Sequence, residues 1–324
     1  MSSEVVEVGR GVTEVAVGNL VHTGTPHQEE TVLDLAASLQ ATYPLVVLPT
    51  DERLERGVFL SLAAVALQAV HDAEIKLGDA VSVHGLGAIG LLAVQMCRLE
   101  GIQNVIGIDP EPHRRDLAAR FGATHVLDAA DDKLGLTVRD RNGGHGVDVA
   151  IEVSGSDRGL QGALSAAGLG GTVVAAGFYQ GGAAHLRLGE EFHHNRLSLI
   201  ASVGSWGAPD RHAPLWNRRR VLDTAARLLF TDRVAVDGLL DRTFPFERRR
   251  LRPTGGWTST RTTRSRSHWP TEPGRRDRTG RRARRRRPGR LRHLRCRPAR
   301  TADRCGAAAA AARRGVRAAR AGAP

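Results

Sequence analysis

Residues 80–109, AVSVHGLGAIGLLAVQMCRLEGIQNVIGID, constrain the fold more than any other stretch of this chain. A short β-branched run, Ala80 to His84, leads directly into Gly85, Gly87 and Gly90 in the spacing G-x-G-x-x-G. These glycines open an apolar segment with helical periodicity. A second strand-like run, Val105 to Ile108, ends in Asp109, nineteen positions after Gly90. Strand, glycine turn, helix, strand and terminal acid at these distances are the parts of a βαβ unit that holds a dinucleotide. Gly85 permits the tight turn, Gly87 leaves room for a pyrophosphate, and Gly90 lets the helix pack closely on the sheet. Ala88 and Ile89 stand in the first helical turn, whose free N–H groups and partial positive charge suit phosphates. Asp109 is placed to accept hydrogen bonds from both ribose hydroxyls and to repel a 2′-phosphate, which favours NAD over NADP.

The remaining chain, up to about residue 247, extends this unit. Residues 4–21 alternate with the period of strands, with Gly9, Gly11 and Gly18 as turn points, and read as two or three strands of a small β-barrel. Glu30–Leu35 and Thr42–Pro49 are further extended pieces, and Val58–Ala73 has helical spacing. After Asp109, a helix at Glu111–Phe121 precedes strands at His125–Leu127 and Asp148–Val153. A helix at Gly159–Ala167 then precedes strands at Thr172–Ala176 and Leu197–Val203, with a last helix over Val221–Leu229. Strands alternating with crossover helices predict a parallel sheet wound on both faces. Ligands of such sheets bind beyond the carboxyl ends of the strands, which lines up Gly85–Gly90, Asp109, Ser154–Gly155 and Gly177 along one crevice.

The net charge of +13 divides sharply. From Arg248 onward there are 26 arginines, no lysine and three acids, whereas residues 1–247 hold 21 basic and 31 acidic residues. The body is therefore acidic and all the excess basicity lies in the tail. The three cysteines, Cys97, Cys296 and Cys305, form neither a C-x-x-C pair nor a disulfide framework. No apolar run reaches the roughly 20 residues of a membrane helix, and no signal peptide is visible, so a soluble cytoplasmic protein is expected.

The stretches EVVEVGRGVTEVAVGNLV, KLGDAVSVHGLGAIGLLAVQMCR, FGATHVLDA and VDVAIEVSG together resemble the medium-chain dehydrogenases of the zinc-type alcohol dehydrogenase family, over residues 4 to about 247. The resemblance implies an α/β fold: a Rossmann-type doubly wound parallel sheet plus an incomplete GroES-like β-barrel catalytic domain. It divides the chain into a partial barrel at 1–54, a Rossmann NAD-binding domain at 55–237, a return strand at 238–247 and an Arg-rich tail at 248–324 that is expected to be disordered. It implies hydride transfer between an alcohol or carbonyl substrate and nicotinamide, in a homo-oligomer. Carried over by position, Asp109 holds the adenosine ribose and Arg114 lies beside it, while Val153, Ser154 and Gly177 border the cofactor.

The chain departs from that family in its metal chemistry. It begins just after the place of the family's Gly-His-Glu motif, which reads as an N-terminal truncation, and a short loop, His22 to Gln28, replaces the four-cysteine structural-zinc lobe. Zinc is expected for the family, but its ligands are absent here and no metal site is expected. Cys97 reads as a small core residue. His193 and His194, adjacent on an extended chain, point to opposite faces and read as a loop or strand-edge pair. His22 and His27 lie where the barrel faces the crevice, either as solvated loop residues or as substrate or proton-relay groups. Asp148 and Glu152 read as structural.

The tail opens ERRRLRPTGGWTSTRTTRSRSHWPTEPG. Arginine without lysine and alanine runs are what GC-rich DNA yields out of frame, and residues 257–271 back-translate, one base shifted, to DEHPDDTIKVALAY, a turn and closing strand suited to the family. A frameshift near 247–250 is therefore expected. Two further readings of the chain stay open: a catalytically impaired NAD-binding pseudoenzyme, and salt-dependent, non-specific nucleic-acid binding through the tail.

Overall fold

A computed structural model describes residues 2–25, 28, 30–41, 44–49, 54–203, 215–240 and 293–298. All of these except Leu240 belong to the unit formed by residues 1–239 and 292–324. The N-terminal part contains β1 (Ser2–Val8), β2 (Leu20–His22), β3 (Thr31–Asp34), α1 (Leu35–Gln40), β4 (Val46–Val47), α2 (Leu54–Val58) and α3 (Leu60–Asp72). The alternating units that follow are β5 (Ala80–His84), α4 (Ala88–Leu99), β6 (Asn104–Ile108), α5 (Pro112–Arg120), β7 (His125–Leu127) and α6 (Leu134–Arg141). They continue as β8 (Val147–Glu152), α7 (Asp157–Ala166), β9 (Ala167–Ala175), β10 (Ser198–Ala201) and α8 (Arg218–Phe230), and β11 (His293–Pro298) comes last.

The larger sheet is wholly parallel, in the order β10-β9-β8-β5-β6-β7. The chain winds outward in both directions from β5, so the strand order reverses between β5 and β8, the switch point at which such sheets bind ligands. β5 is buried along its whole length, as a central strand covered on both faces must be. On one face α3, α4 and α8 pack Leu60, Leu67, Leu92, Val94 and Leu229 against Val81 and Val83. On the other, α6 and α7 bring Leu134, Val138, Leu160 and Leu164 onto Ile106, Ala150 and Val173. The helix α6 was not foreseen, because its polar sequence LGLTVRDR buries only Leu134 and Val138. It forms the crossover that a parallel β7–β8 connection requires.

The smaller sheet is antiparallel and open, in the order β3-β11-β1-β2-β4. It surrounds a small core of Val5, Val15, Val21, Leu35, Leu45, Leu294 and Cys296. The expectation of a tail without structure fails for residues 293–298, which form β11 between β1 and β3. The physical reason is alternation: Leu294 and Cys296 are 1% exposed, while Arg295 and Arg297 face outward and both pair with Glu30. Among the described residues no helix is long and apolar enough to cross a membrane.

This packing predicts unequal costs within β11. Leu294→Asp places a charge in the small core and lowers unfolding stability by about 3 kcal/mol or more. Arg297→Ser removes an exposed ion pair and costs under about 1 kcal/mol. Denaturant midpoints of the two variants check this, and equal shifts would contradict the strand's placement.

Candidate functional site

Register brings the predicted residues together. His84 ends β5 opposite Ile108 of β6 and Glu152 of β8, and Glu152 lies opposite Ala175 of β9. Gly85, Asp109, Val153 and Ala176 therefore leave the sheet along one edge, with Ser154 and Gly177 one position further on.

The three glycines of the turn differ in what requires them. Gly85 has φ +92°, and a Cβ there would stand 2.8 Å from the backbone and Cβ of Ser154. At Gly90 a Cβ would stand 1.9 Å from the carbonyl oxygen of Gly85, so the helix is packed directly onto the turn. Gly87 has an ordinary φ of −71°, and a Cβ there would meet nothing within 4 Å. The fold itself does not demand a glycine at this position. It is the N-cap of the 12-residue α4 and no side chain caps that helix. Gly87, Ala88 and Ile89 are half-buried, Ala88 and Ile89 pack against the core, and the space beside Gly87 is open. First-turn N–H groups have no partner inside their own helix, so this space suits a group with phosphate oxygens.

Asp109 is 2% exposed. Its Oδ2 accepts the Leu86 N–H at 2.7 Å and its Oδ1 accepts the Glu111 N–H at 2.8 Å. The half-exposed Arg114 stands 3.5 Å from Oδ2. The carboxylate thus ties the glycine turn to the end of β6, a role that sequence reasoning missed. A carboxylate has about four acceptor sites, and two are taken by these backbone groups.

Across the switch point, Val153 and Gly177 are half-buried and Ser154 is exposed. A Cβ at Gly177 would stand 2.5 Å from the Gly155 nitrogen, so these loops touch. Beneath them Glu152 is fully buried and accepts the Ser154 N–H at 2.7 Å, the Ser154 hydroxyl and the Tyr179 hydroxyl. Burial pushes the Glu152 carboxyl above its usual range, against the opposing effect of these donors and the Gly155 N–H. Burial and the Glu152 charge push the Tyr179 phenol up as well. Sequence reasoning missed Tyr179 and the extent of Glu152's engagement. The available signal was an acid ending the otherwise apolar run VAIE.

The other candidates separate clearly. His22 is 3% exposed and lies on β2, which corrects the expectation of a solvated loop histidine. Pairing with β1 and β4 carries it inward. Its Nδ1 donates to the Gly57 carbonyl at 3.0 Å, so its Nε2 accepts from the Ser61 hydroxyl at 2.7 Å. Desolvation is the largest cause that lowers its pKa to about 4. His27 lies outside the described residues. His193 and His194 are exposed, with ring centroids 5.4 Å apart in an edge-to-face arrangement. Cys97 is buried in the core, and burial pushes its thiol up to about 12. Asp148 accepts the Ala80 N–H at 2.8 Å and braces the start of β5. Among the described residues no group of three or more His, Cys, Asp and Glu could hold a metal ion. With both nitrogens of His22 engaged and Cys97 and Cys296 buried, they do not fit a catalytic zinc, which takes three protein ligands and an open position.

Comparisons with known proteins agree with this architecture. A family model described as zinc-binding dehydrogenase matches residues 88–214. D-guloside 3-dehydrogenase of Escherichia coli K12 is 33% identical over 243 residues, covering 75% of this chain and 68% of that protein. (R,R)-butanediol dehydrogenase of Bacillus subtilis 168 is 29% identical over 265 residues, covering 75% and 74%. A solved structure from Sinorhizobium meliloti 1021, described as a zinc-binding dehydrogenase bound to NADP, superposes with a TM-score of 0.56. It is 25% identical and the match covers 73% of this chain and 72% of that one.

Two predictions follow from the geometry. Gly90→Ala lowers stability by about 3 kcal/mol through overpacking, whereas Gly87→Ala costs within about 1 kcal/mol as an N-cap change yet weakens NADH binding at least tenfold. Thermal melts and NADH titration separate the two, and equal destabilisation would contradict the assignment. The second concerns acid. Burial lowers the pKa of His22 to about 4 and that of His84 to about 3, so both are neutral when folded and take up protons near pH 6.5 when unfolded. Stability is therefore lost as pH falls from 6.5 toward 4, by up to about 1.4 kcal/mol per pH unit for each imidazole. Glu152, with its raised pKa, acts in the opposite direction. Urea midpoints of wild type and His84→Asn cancel that shared effect, and the variant should show the shallower loss between pH 6.5 and 5. Parallel curves would contradict the reading.

Proposed function

The chain belongs to the zinc-binding, medium-chain dehydrogenase family, and we propose that within it this protein binds NAD(H) across the carboxyl edge of its parallel sheet and serves hydride transfer with an alcohol or carbonyl substrate. One observation carries this reading. Gly85 and Gly90 are required by the fold, but Gly87 is required only if a ligand occupies the space above the uncapped N-terminus of α4.

A nicotinamide held here would supply the hydride acceptor and donor, at its C4. The chain's own residues bind and orient it. The N–H groups of Ala88 and Ile89, at the positive end of α4, hold the pyrophosphate. Asp109 uses its remaining acceptor capacity on the adenosine ribose, with Arg114 alongside. Val153, Ser154 and Gly177 line the other half. Family relatives named for a guloside and for butanediol support a secondary hydroxyl on a sugar or small polyol as the substrate class. An NAD-binding pseudoenzyme is the second reading, favoured by the described residues' poor fit to zinc. For the tail, we infer that residues 257–271 stand in a shifted frame. Sequencing the coding DNA across codons 240–275 tests this, and the absence of any second open frame returns the tail to nucleic-acid binding.

The oligomer forms, in this proposal, across β10. Among the described residues it is the sheet's edge strand, and Leu199 and Ile200 are 40% and 38% exposed on it. Exposed apolar edges pair with another chain unless they are covered. Ile200→Lys should shift light scattering from dimer to monomer, and an unchanged mass would contradict that interface.

Cofactor preference gives the direct functional test. Asp109→Ser removes the carboxylate facing the ribose and frees Arg114, 3.5 Å away, for a 2′-phosphate. The NADH-to-NADPH affinity ratio should fall at least tenfold, as read by fluorescence titration. An unchanged ratio would refute the ribose role of Asp109.

A further inference from the structure

Sheets of this order combine two mononucleotide-binding halves that meet at the switch point. Asp109 marks the half built on β5, β6 and β7. The half built on β8, β9 and β10 ends in Val153–Gly155 and Gly177–Tyr179, and beneath both loops lies the carboxylate of Glu152. We infer that the buried Glu152 and the half-buried Tyr179 form a positioning pair that fixes these two loops against each other and so shapes the nicotinamide-facing half of the site. This rests on the reading that the crevice takes NAD(H).

A carboxylate at the end of a central strand pays heavily for desolvation unless donors surround it. Glu152 is fully buried, and its donors come from the two loops. Ser154 supplies its N–H at 2.7 Å and its hydroxyl, Gly155 supplies its N–H, and Tyr179 supplies its hydroxyl from the far side. The backbone repeats the connection, since Ala176 and Gly177 donate to the Glu152 carbonyl at 2.9 and 3.1 Å.

Two glycines make room for this group. A Cβ at Gly159 would stand 2.8 Å from Oε1, and one at Gly177 would stand 2.7 Å from Oε2. Half-buried Tyr179 packs against the second core, so its hydroxyl is held rather than swung in from solvent. Ser154, anchored by Glu152, is the residue against which Gly85 packs. Loosening Glu152 or Tyr179 therefore loosens the wall opposite Asp109 while the Asp109–Leu86 attachment stays intact.

The experiment uses the full chain and two probes, NADH and ADP-ribose, the latter lacking the nicotinamide. Tyr179→Phe keeps the ring and removes the hydroxyl. It should raise the NADH Kd about five- to tenfold and leave the ADP-ribose Kd within twofold. Glu152→Gln keeps an acceptor for Tyr179, and its NADH affinity should fall between those of wild type and Tyr179→Phe. A loss shared equally by both probes means general destabilisation and overturns the inference, as does unchanged NADH affinity in Tyr179→Phe. Wild type that binds neither probe overturns the cofactor reading itself and this inference with it. Wild type that binds both, with no difference between probes in either variant, overturns the positioning role alone.

Discussion

The hydrogen bond from the Leu86 N–H to the buried Asp109 carboxylate fixes the glycine turn on which the rest of the site depends. The turn leaves β5 in a conformation open to glycine, and Asp109 holds it against the end of the neighbouring strand. Ser154 presses on Gly85 from the other side, and the first turn of α4 presses on it through Gly90. Three independent contacts thus set the position of Gly87, the one glycine of the turn with free space around it. The accessible N-terminus of α4 follows from that arrangement.

The two halves of the crevice use the same physical device. Each of the strands flanking β5 is followed by, or ends in, a buried acid: Asp109 after β6 and Glu152 at the end of β8. Each carboxylate would be costly to bury alone. Each accepts backbone N–H groups of the loop it supports, so the desolvated charge is stabilised only while the loop keeps its shape. A rigid crevice is the consequence, with loops specified by satisfied polar groups rather than by apolar packing.

Much of this was legible in the letters because it is local. The spacing of Gly85, Gly87, Gly90 and Asp109 and the buried strand β5 are short-range signals. What stayed hidden is long-range. β11 lies far along the chain from the β1 and β3 strands it joins, and its short alternation of Leu294 and Cys296 with Arg295 and Arg297 does not say which distant strands it pairs with. His22 stands on a three-residue strand, too short for alternation to reveal which face is buried. The second role of Asp109 and the Glu152–Tyr179 pair require knowing which loops the sheet register brings together. In α6 only Leu134 and Val138 are buried, so its helical period is almost silent.

Amide hydrogen exchange on the full chain, with and without saturating NADH, tests the central claim most directly. If the crevice above α4 is the dinucleotide site, protection rises at residues 87–91, 109–111 and 153–155, while β1 and β2 exchange as before. Unchanged exchange in those three segments, or protection confined to the arginine tail, would contradict the assignment of this edge as the cofactor site.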